Sequence, residues 1–217
     1  MVQMEPADGT SLYNYTLESD EIISVITDPS GLLRAGTGAT VWDSSVCLAK
    51  YFEKNKAILD NKLIVELGCG AGLLGLVLAK SANSARIILT DQPQVIGLAA
   101  RSAMPKSVAL VPFDWNSSDH SLILKHGAPD LVIFADCITW PELYPVLIKT
   151  LAEICGPKTE LIFANEKRDM DKEVEFYRQL AVHFTFSHIK PEEQHPEWQS
   201  EDIYMFRARK KPNSVAI

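Results

Sequence analysis

Three glycines at alternate positions, Gly68, Gly70 and Gly72, directly follow the apolar run Leu63–Leu67 and precede a helical pattern. Glycines at the carboxyl end of a strand let the backbone turn sharply and approach a ligand closely, and a following helix offers free N–H groups. The spacing does not fit a dinucleotide fingerprint, which needs glycine where Leu73 stands, and the Gly-Lys-Ser/Thr of a phosphate-binding loop is missing. The segment therefore predicts a ligand-binding turn of another kind.

Two carboxylates accompany this turn and indicate the ligand. Glu66 stands two residues before Gly68, where a negative charge suits a cationic ligand better than a pyrophosphate. Asp91 ends the next predicted strand, 19 residues after Gly72, and can accept hydrogen bonds from two ribose hydroxyls. S-adenosylmethionine carries an ammonium, a sulfonium and a ribose, so the combination predicts a site for this cofactor. The alternatives are a helix cap for Asp91 and a surface charge for Glu66.

Short apolar runs that alternate with helical stretches must position these residues. The predicted strands are Leu63–Leu67, Arg86–Thr90, Ser107–Val111, Asp130–Ala135 and Thr159–Ala164. The predicted helices are 72–82, 92–102, 116–126 and 141–155. Most strands are apolar at consecutive positions, as in parallel strands covered on both faces, and strand–helix alternation is typical of a doubly wound α/β sheet.

The two ends of the chain have a different pattern. Residues 12–28 partly alternate and predict an N-terminal β-hairpin, which precedes a helix over 41–52. A helix near 172–182 precedes strands near 183–189 and 202–209, which should be antiparallel if they pair, because their link is short. We therefore predict a mostly parallel, seven-stranded Rossmann-like sheet with an antiparallel last strand. We also expect residues 1–217 to form one domain, with 1–40 as an extension and 41–217 as the core.

Composition excludes several function classes. The 217 residues carry a net charge of −7, which disfavours tight binding to nucleic acid phosphates. The longest apolar run has 13 residues, whereas a membrane span needs about 20, and the first 20 residues show no secretory signal. The four cysteines form no C-x-x-C pair, and neither they nor the five histidines have zinc-ligand spacing, so we expect no metal site. No local signature supports a catalytic Cys/His pair.

Five motifs together resemble a known family. They are V-W-D-S-S (41–45), V-E-L-G-C-G-A-G-L-L-G-L (65–76), L-T-D (89–91), F-D-W (113–115) and A-D-C-I (135–138). In this order they resemble the seven-β-strand protein-lysine methyltransferases of the methyltransferase-family-16 type, over residues 31–210. The tail, with E-K-R (166–168) and S-E-D-I (200–203), is most similar to the branch that methylates valosin-containing protein.

The resemblance implies a role for each matching residue. Trp42 should pack near the methionine end of the cofactor, Asp91 should hold the ribose, and Trp115 and Asp114 should lie by the adenine. The remaining cofactor-binding residues implied by the motifs are Glu66, Gly68, Cys69, Gly70 and Ala135. The alternatives are core packing for the two tryptophans and a turn for Asp114.

The resemblance also implies an acceptor site at the end of the fourth parallel strand. Asp136 should face the transferring methyl group. The family has a tyrosine where Thr139 stands, so either Trp140 or Tyr144 takes over the aromatic role or the acceptor differs. The alternative for both aromatic residues is core packing. Asn165 likewise stands where tyrosine is common.

The implied function is transfer of methyl groups from S-adenosylmethionine to a lysine of a non-histone protein. The expected partner is an AAA ATPase or another chaperone-like or translation protein, bound by a monomer in the cytoplasm, with the nucleus as a second location. The alternatives are a methyltransferase for small molecules or N-terminal amines and a non-catalytic cofactor-binding module, because a fold does not determine a substrate.

Overall fold

The computed structural model describes residues 9–31, 35–82 and 84–212, and the outer parts of the predicted domain, 1–8 and 213–217, lie outside these ranges. The predicted hairpin is present as strands β1 (Ser11–Thr16) and β2 (Ile22–Thr27), which pair antiparallel as a separate two-stranded sheet. Its buried side chains join the core that covers one face of the main sheet, and the Tyr15 hydroxyl donates to Glu53 at 2.5 Å. The hairpin is therefore attached to the helix that contains Glu53.

Seven strands form the main sheet, which confirms the predicted fold class. They are β3 (Leu63–Leu67), β4 (Arg86–Asp91), β5 (Val108–Pro112), β6 (Leu131–Ala135), β7 (Glu160–Glu166), β8 (Phe184–His188) and β9 (Ile203–Lys210). The spatial order is β5-β4-β3-β6-β7-β9-β8. The first five are parallel, and β9 lies antiparallel between β7 and β8. The order reverses between β3 and β6, where an open α/β sheet forms its ligand crevice at the carboxyl ends of the strands.

Six helices accompany the strands in the described ranges. They are α1 (Asp43–Lys54), α2 (Leu73–Ser81), α3 (Pro93–Ala99), α4 (Ser121–Leu124), α5 (Tyr144–Ile154) and α6 (Met170–His183). Helix α6 begins before the predicted residue 172 because the Asp169 carboxylate accepts the Lys172 N–H and caps it. None of the described helices has the length and apolar character needed to cross a membrane.

The predicted helix over 116–126 is wrong for most of its length. Only Ser121–Leu124 is α-helical. The Asp114 carboxylate accepts the Asn116 N–H, and Asp119 accepts the Ser121 N–H. Short polar side chains that bond nearby backbone donors favour turns over helix. This segment therefore forms a turn beside the carboxyl end of β5.

Apolar cores cover the two faces of the main sheet. One face packs against α1, α2 and the hairpin, with Leu48 and Ile64 fully buried. The other packs against α5 and α6 and is rich in aromatic rings, of which Phe134 and Phe163 stack with their centroids 4.6 Å apart. Both faces are covered, which explains why the strands are apolar at consecutive positions.

Candidate active site

A cavity of about 300 Å³ opens at the carboxyl ends of the parallel strands. Among its lining residues are predicted site residues from every motif: Trp42, Gly68, Gly70, Asp91, Asp114, Trp115, Ala135, Asp136 and Trp140. Its volume is at the lower end of the range of about 300–1,000 Å³ that small-molecule sites occupy. The other three predicted residues, Glu66, Cys69 and Tyr144, do not line this cavity.

The glycine loop forms one wall of the cavity with its backbone. Gly68 and Gly70 have φ angles of +65° and +55°, which side-chain-bearing residues rarely adopt. A Cβ on Gly68 would lie 2.6 Å from the Cys137 sulfur, and one on Gly70 would lie 3.1 Å from the Gly38 carbonyl oxygen. Only glycine at these two positions keeps the loop in place without displacing its neighbours, so the loop is shaped as a cradle.

Asp91 links the glycine loop to the cavity. Its Oδ2 accepts the Gly70 N–H at 2.9 Å, and its Oδ1 accepts the Gln92 N–H at 2.8 Å. Burial raises the pKa of this carboxyl, and the two backbone bonds partly offset the shift. A carboxylate oxygen can accept a second hydrogen bond, so Asp91 can hold the loop and still receive ligand hydroxyls from the cavity.

Glu66 lies beneath the loop, outside the main cavity. It borders a small void of about 30 Å³ together with Cys69, and Gly68 and Gly70 border both spaces. Burial raises the pKa of the Glu66 carboxyl well above its usual range, an effect that the Gly75 N–H partly offsets and the charge of Asp91 increases. Its Oε2 has no hydrogen-bond partner among the described residues. A cationic group placed next to the loop would relieve this cost.

Trp115 and Asp114, which follow β5, also line the cavity. The Trp115 ring lies against Gly68, with its Cζ2 atom 3.3 Å from the position of a Gly68 Cβ. The Asp114 Oδ1 accepts both the Asn116 N–H and its side-chain amide, at 2.8 and 2.9 Å. Asp114 is therefore a turn residue as well as a cavity residue, and its carboxylate has acceptor capacity for an amine.

Asp136 is held by three donors from different parts of the chain. Its Oδ1 accepts the Glu166 N–H at 3.0 Å and an Arg168 Nη1 at 2.9 Å, and its Oδ2 accepts the Ser44 hydroxyl. The side chain is only 3% exposed. Asp136 also has a φ of +54°, a strained conformation that persists only where the surroundings enforce it. The carboxylate is therefore rigid and almost completely engaged within the protein.

Arg168 is a site residue that was not among the predicted site residues. Its guanidinium lines the cavity, donates Nη1 to Asp136 and Nη2 to Glu166 Oε2 at 2.7 Å, and lies 5.2 Å from the Trp42 ring centroid. The E-K-R motif was visible in the sequence, but nothing in it indicated contact with Asp136. Ser44 lies in the W-D-S-S motif, and nothing in that motif indicated its hydrogen bond to Asp136 either.

Two indoles line the cavity near this cluster and are partly open to solvent. Trp42 is 37% exposed and donates its Nε1–H to the Thr37 carbonyl at 3.0 Å, and Trp140 is 49% exposed. Neither is a core residue. An exposed aromatic face can contact a cationic side chain.

Tyr144, the other aromatic candidate, lies outside the main cavity and borders only the small void of about 20 Å³ that Glu166 and Arg168 also line. Tyr144 is 1% exposed, packs on the Phe176 ring 5.2 Å away, and donates its hydroxyl to the Ile138 carbonyl at 2.9 Å. It begins α5 on the face that packs into the core, so its ring faces away from the main cavity. Of the two aromatic candidates, the structure places only Trp140 in the cavity wall.

Other catalytic chemistries find little support at the site. Within the described ranges, no group of three or more His, Cys, Asp or Glu side chains is arranged to hold a metal ion. Burial raises the pKa values of Cys69 and Cys137 well above the usual range, so both thiols remain neutral and weakly nucleophilic.

The residues present fit S-adenosylmethionine. The backbone cradle at Gly68 and Gly70 and the acceptor atoms of Asp91 match its methionine and ribose groups. The unpartnered buried Glu66 oxygen lies behind the same loop, where a cationic ligand group on the loop would offset its burial. When bound, it supplies a methyl group activated by attachment to a sulfonium.

Comparisons with known proteins agree with this geometry. A family model described as lysine methyltransferase matches residues 30–183. Mouse EEF1A lysine methyltransferase 3 is 31% identical over 70% of this chain and 66% of its own length. Zebrafish (Danio rerio) protein N-lysine methyltransferase METTL21A is 27% identical over 85% of this chain and 83% of its own length.

Solved structures with lower identity share the fold. Human N-acetylserotonin methyltransferase, solved in complex with S-adenosylmethionine, superposes with a TM-score of 0.56 and 16% identity over 77% of this chain and 51% of its own. A predicted O-methyltransferase from Agrobacterium tumefaciens gives 0.55 and 18%, over 76% of this chain and 81% of its own. The family match covers most of the chain and includes the glycine loop, Asp91 and Asp136. The chain therefore belongs to the lysine methyltransferase family and is an S-adenosylmethionine-dependent protein-lysine methyltransferase.

Proposed function

We propose that this enzyme methylates a lysine side chain of a non-histone protein, and that residues 1–217 act as one catalytic unit. The observation that carries the proposal is the set of side chains at the end of the cavity near Asp136, which we call the acceptor end. There, two partly exposed indoles, Trp42 and Trp140, line the cavity with Asp136. Arg168 links this carboxylate to that of Glu166, which lines an adjoining small void. An open rim with excess negative charge suits a cationic side chain on a protein surface.

The chain's own residues can promote the reaction mainly by placement. A lysine amine has a pKa near 10.4, so making it neutral at pH 7 costs roughly 4–5 kcal/mol. Contact with the indoles of Trp42 and Trp140 removes part of the water around the amine, which disfavours the charged form and lowers that pKa. The carboxylates orient the amine towards the methyl group, and the proton leaves to water. The rigid Asp136 needs no proton-accepting role, because three donors already occupy its oxygens.

The relatives narrow the class of acceptor. Two of them are named for EEF1A, a translation protein, so our first candidate is a translation factor. An AAA ATPase or another chaperone-like protein is second, in line with the tail motifs that resemble the branch methylating valosin-containing protein. We further propose that the enzyme acts as a monomer in the cytoplasm, with the nucleus as a second location.

A small-molecule or N-terminal-amine methyltransferase on the same fold is the alternative. The exposure of Trp42 and Trp140 favours the protein acceptor, because an enzyme for a small metabolite encloses its substrate more completely. The absence of the family tyrosine at Thr139 favours a third candidate, a cofactor-binding module without catalysis.

Transfer of a radiolabelled methyl group from S-adenosylmethionine into eukaryotic cell extract, followed by mass spectrometry of the labelled bands, tests the proposal. We expect methyl-lysine in a non-histone protein. Asp136→Ala serves as the inactive control, and Trp198→Ala, at an exposed tryptophan outside the cavity lining, serves as the active control. Label only in small metabolites or N-termini would favour the alternative, and cofactor binding without any transfer would favour the third candidate.

A further inference from the structure

The two carboxylates at the acceptor end differ in how accessible they are. Asp136 is 3% exposed and accepts from Ser44, the Glu166 N–H and Arg168. The Glu166 side chain is 38% exposed, and its Oε2 accepts from the Arg168 Nη2. A substrate ammonium that approaches from solvent can therefore reach Glu166, whereas contact with Asp136 would require displacing several protein donors.

Arg168 lies between the main cavity and Glu166. Arg168 and Thr139 line both the main cavity and a smaller void of about 20 Å³, which Glu166 also lines. One arm of the guanidinium reaches back to Asp136 and the other reaches Glu166, so Arg168 cross-links the two carboxylates. The Nη2 atom thus occupies a place where a second cation could bind.

The net charge of this cluster also favours the binding of a cation. Arg168 contributes one positive charge, and Asp136 and Glu166 contribute two negative charges, so this cluster carries a net charge of −1. Glu173 adds negative charge nearby, where its Oε1 accepts the backbone N–H groups of Arg168 and Asp169. Lys172 and Asp169 form an ion pair that leaves the count unchanged. The acceptor end can therefore accommodate one additional positive charge.

We propose that Glu166, and not Asp136, receives the substrate ammonium. Arg168 is then a positioning residue, whose Nη2 leaves Glu166 when the ammonium binds there. This rests on the proposed lysine acceptor. In this arrangement the Nη1–Asp136 contact is kept, so Asp136 and its strained backbone remain fixed while Glu166 exchanges partners. Selectivity for a cationic acceptor then comes from the exposed carboxylate, and the buried one supplies rigidity.

Two cofactor analogues test this charge arrangement without a protein acceptor. Sinefungin carries an amine where the transferable methyl group would be, and S-adenosylhomocysteine carries no charge there. The ratio of their affinities, measured by calorimetry, reports how strongly the acceptor end favours a positive charge. We expect Glu166→Gln to lower the preference for sinefungin about tenfold and Arg168→Met to raise it about tenfold. Arg168→Lys, which keeps the charge, should stay close to the wild type.

Matched controls come from an exposed pair on the outer side of α6, where Arg178 and Glu175 lie 2.8 Å apart. Arg178→Met and Glu175→Gln should leave the ratio unchanged. Asp136→Asn should lower the ratio less than Glu166→Gln does. An equal or larger loss for Asp136→Asn overturns the proposal. An unchanged or lowered ratio for Arg168→Met overturns it as well. Because neither analogue needs an acceptor, these results are independent of whether methyl-lysine is found in the extract.

Discussion

The cofactor end and the acceptor end of the cavity are built in different ways. At the cofactor end, the backbone of Gly68 and Gly70 forms the wall, and Asp91 holds it through a main-chain N–H. At the acceptor end, side chains from three distant segments meet, since Ser44 and Arg168 both bond the carboxylate of Asp136. The first end depends on local chain geometry, whereas the second depends on how α1, β6 and β7 are assembled.

This difference has consequences for mutation. A backbone wall is damaged by any added side chain, whatever its chemistry. A side-chain cluster is damaged only by the loss of a specific charge or hydrogen bond, and the fold around it can survive. Variants at the cofactor end should therefore impair binding, and variants at the acceptor end should impair turnover or acceptor choice.

Gly68→Val should have the largest effect. The φ of +65° is strongly disfavoured for a β-branched residue, and the new Cβ would lie 2.6 Å from the Cys137 sulfur. We expect calorimetry to show that cofactor affinity falls at least about 100-fold, with a stability loss of about 1–2 kcal/mol or more from the backbone alone. Gly97→Ala is the matched control, because nothing lies within 4 Å of its Cβ position in α3. It should be neutral or stabilising by up to about 1 kcal/mol. Equal effects of the two variants would contradict the claim that the loop tolerates no side chain at position 68.

Asp136→Ala should remove turnover and spare cofactor binding. The change leaves the Ser44 hydroxyl, the Glu166 N–H and Arg168 without their shared acceptor. We expect kcat on the labelled acceptor to fall at least about 100-fold, which corresponds to about 2.7 kcal/mol, with S-adenosylhomocysteine affinity within about threefold of wild type. A matched loss in affinity would mean that the two ends are not separate, and full turnover would remove Asp136 from the acceptor site.

Asp91→Ala should weaken the cofactor at least about tenfold, or about 1.4 kcal/mol, because it removes the ribose acceptor and the bond to the Gly70 N–H. Calorimetry measures the loss, and Asp60→Ala, at an exposed residue, is the control. Unchanged affinity in a folded variant would show that Asp91 serves the loop and not the ligand.

Glu66→Gln should change the pH dependence of stability. The folded-state pKa of Glu66 is raised well above the unfolded value, mainly by burial, so its protonated form is favoured in the fold. The stability this contributes is present below the unfolded pKa and is lost as pH rises towards the folded pKa. The Tm advantage of the Gln variant over wild type should therefore be greater at pH 8 than at pH 5, by at least about 2 °C. A constant difference across this range would contradict the raised pKa.

Trp140→Ala should have the smallest effect. The indole is 49% exposed, so stability should change by no more than about 0.5 kcal/mol. Loss of an apolar wall should raise KM for the protein acceptor about three- to tenfold, while cofactor affinity stays within about twofold. Trp198→Ala, 41% exposed and outside the cavity lining, should change neither value. If cofactor affinity falls by a larger factor than KM for the acceptor rises, Trp140 belongs to the cofactor end.

Sequence alone predicts the cofactor end far better than the acceptor end, because the first is built from one local segment and the second from segments that are distant in the chain. Gly68, Gly70 and Asp91 are found from local spacing, because a strand, a turn and a helix follow one another along the chain. The contact between Arg168 and Asp136 spans 32 residues and depends on the register of β6 against β7, which no local pattern contains.

The strands were predicted well and individual helical faces less so. Consecutive apolar positions identify buried parallel strands, as in β6 (Leu131–Ala135). Tyr144 was considered for the site because the family tyrosine is missing at Thr139, and nothing in the local sequence showed that its ring packs on Phe176 in the core. The helix over 116–126 failed because Asp114 and Asp119 bond nearby backbone donors, and this competes with helical hydrogen bonding.

The position of β9 between β7 and β8 has a consequence for folding during synthesis. Every main-chain pairing partner of β8 in the sheet lies in β9, which leaves the ribosome later. Until residue 210 has emerged, β7 presents an open strand edge, and Phe163 lacks the stacked ring of Phe206. An open, apolar edge is prone to pair with other chains. The nascent protein is therefore exposed to aggregation for as long as β9 has not emerged, and a chaperone that covers the edge of β7 would protect it during that interval.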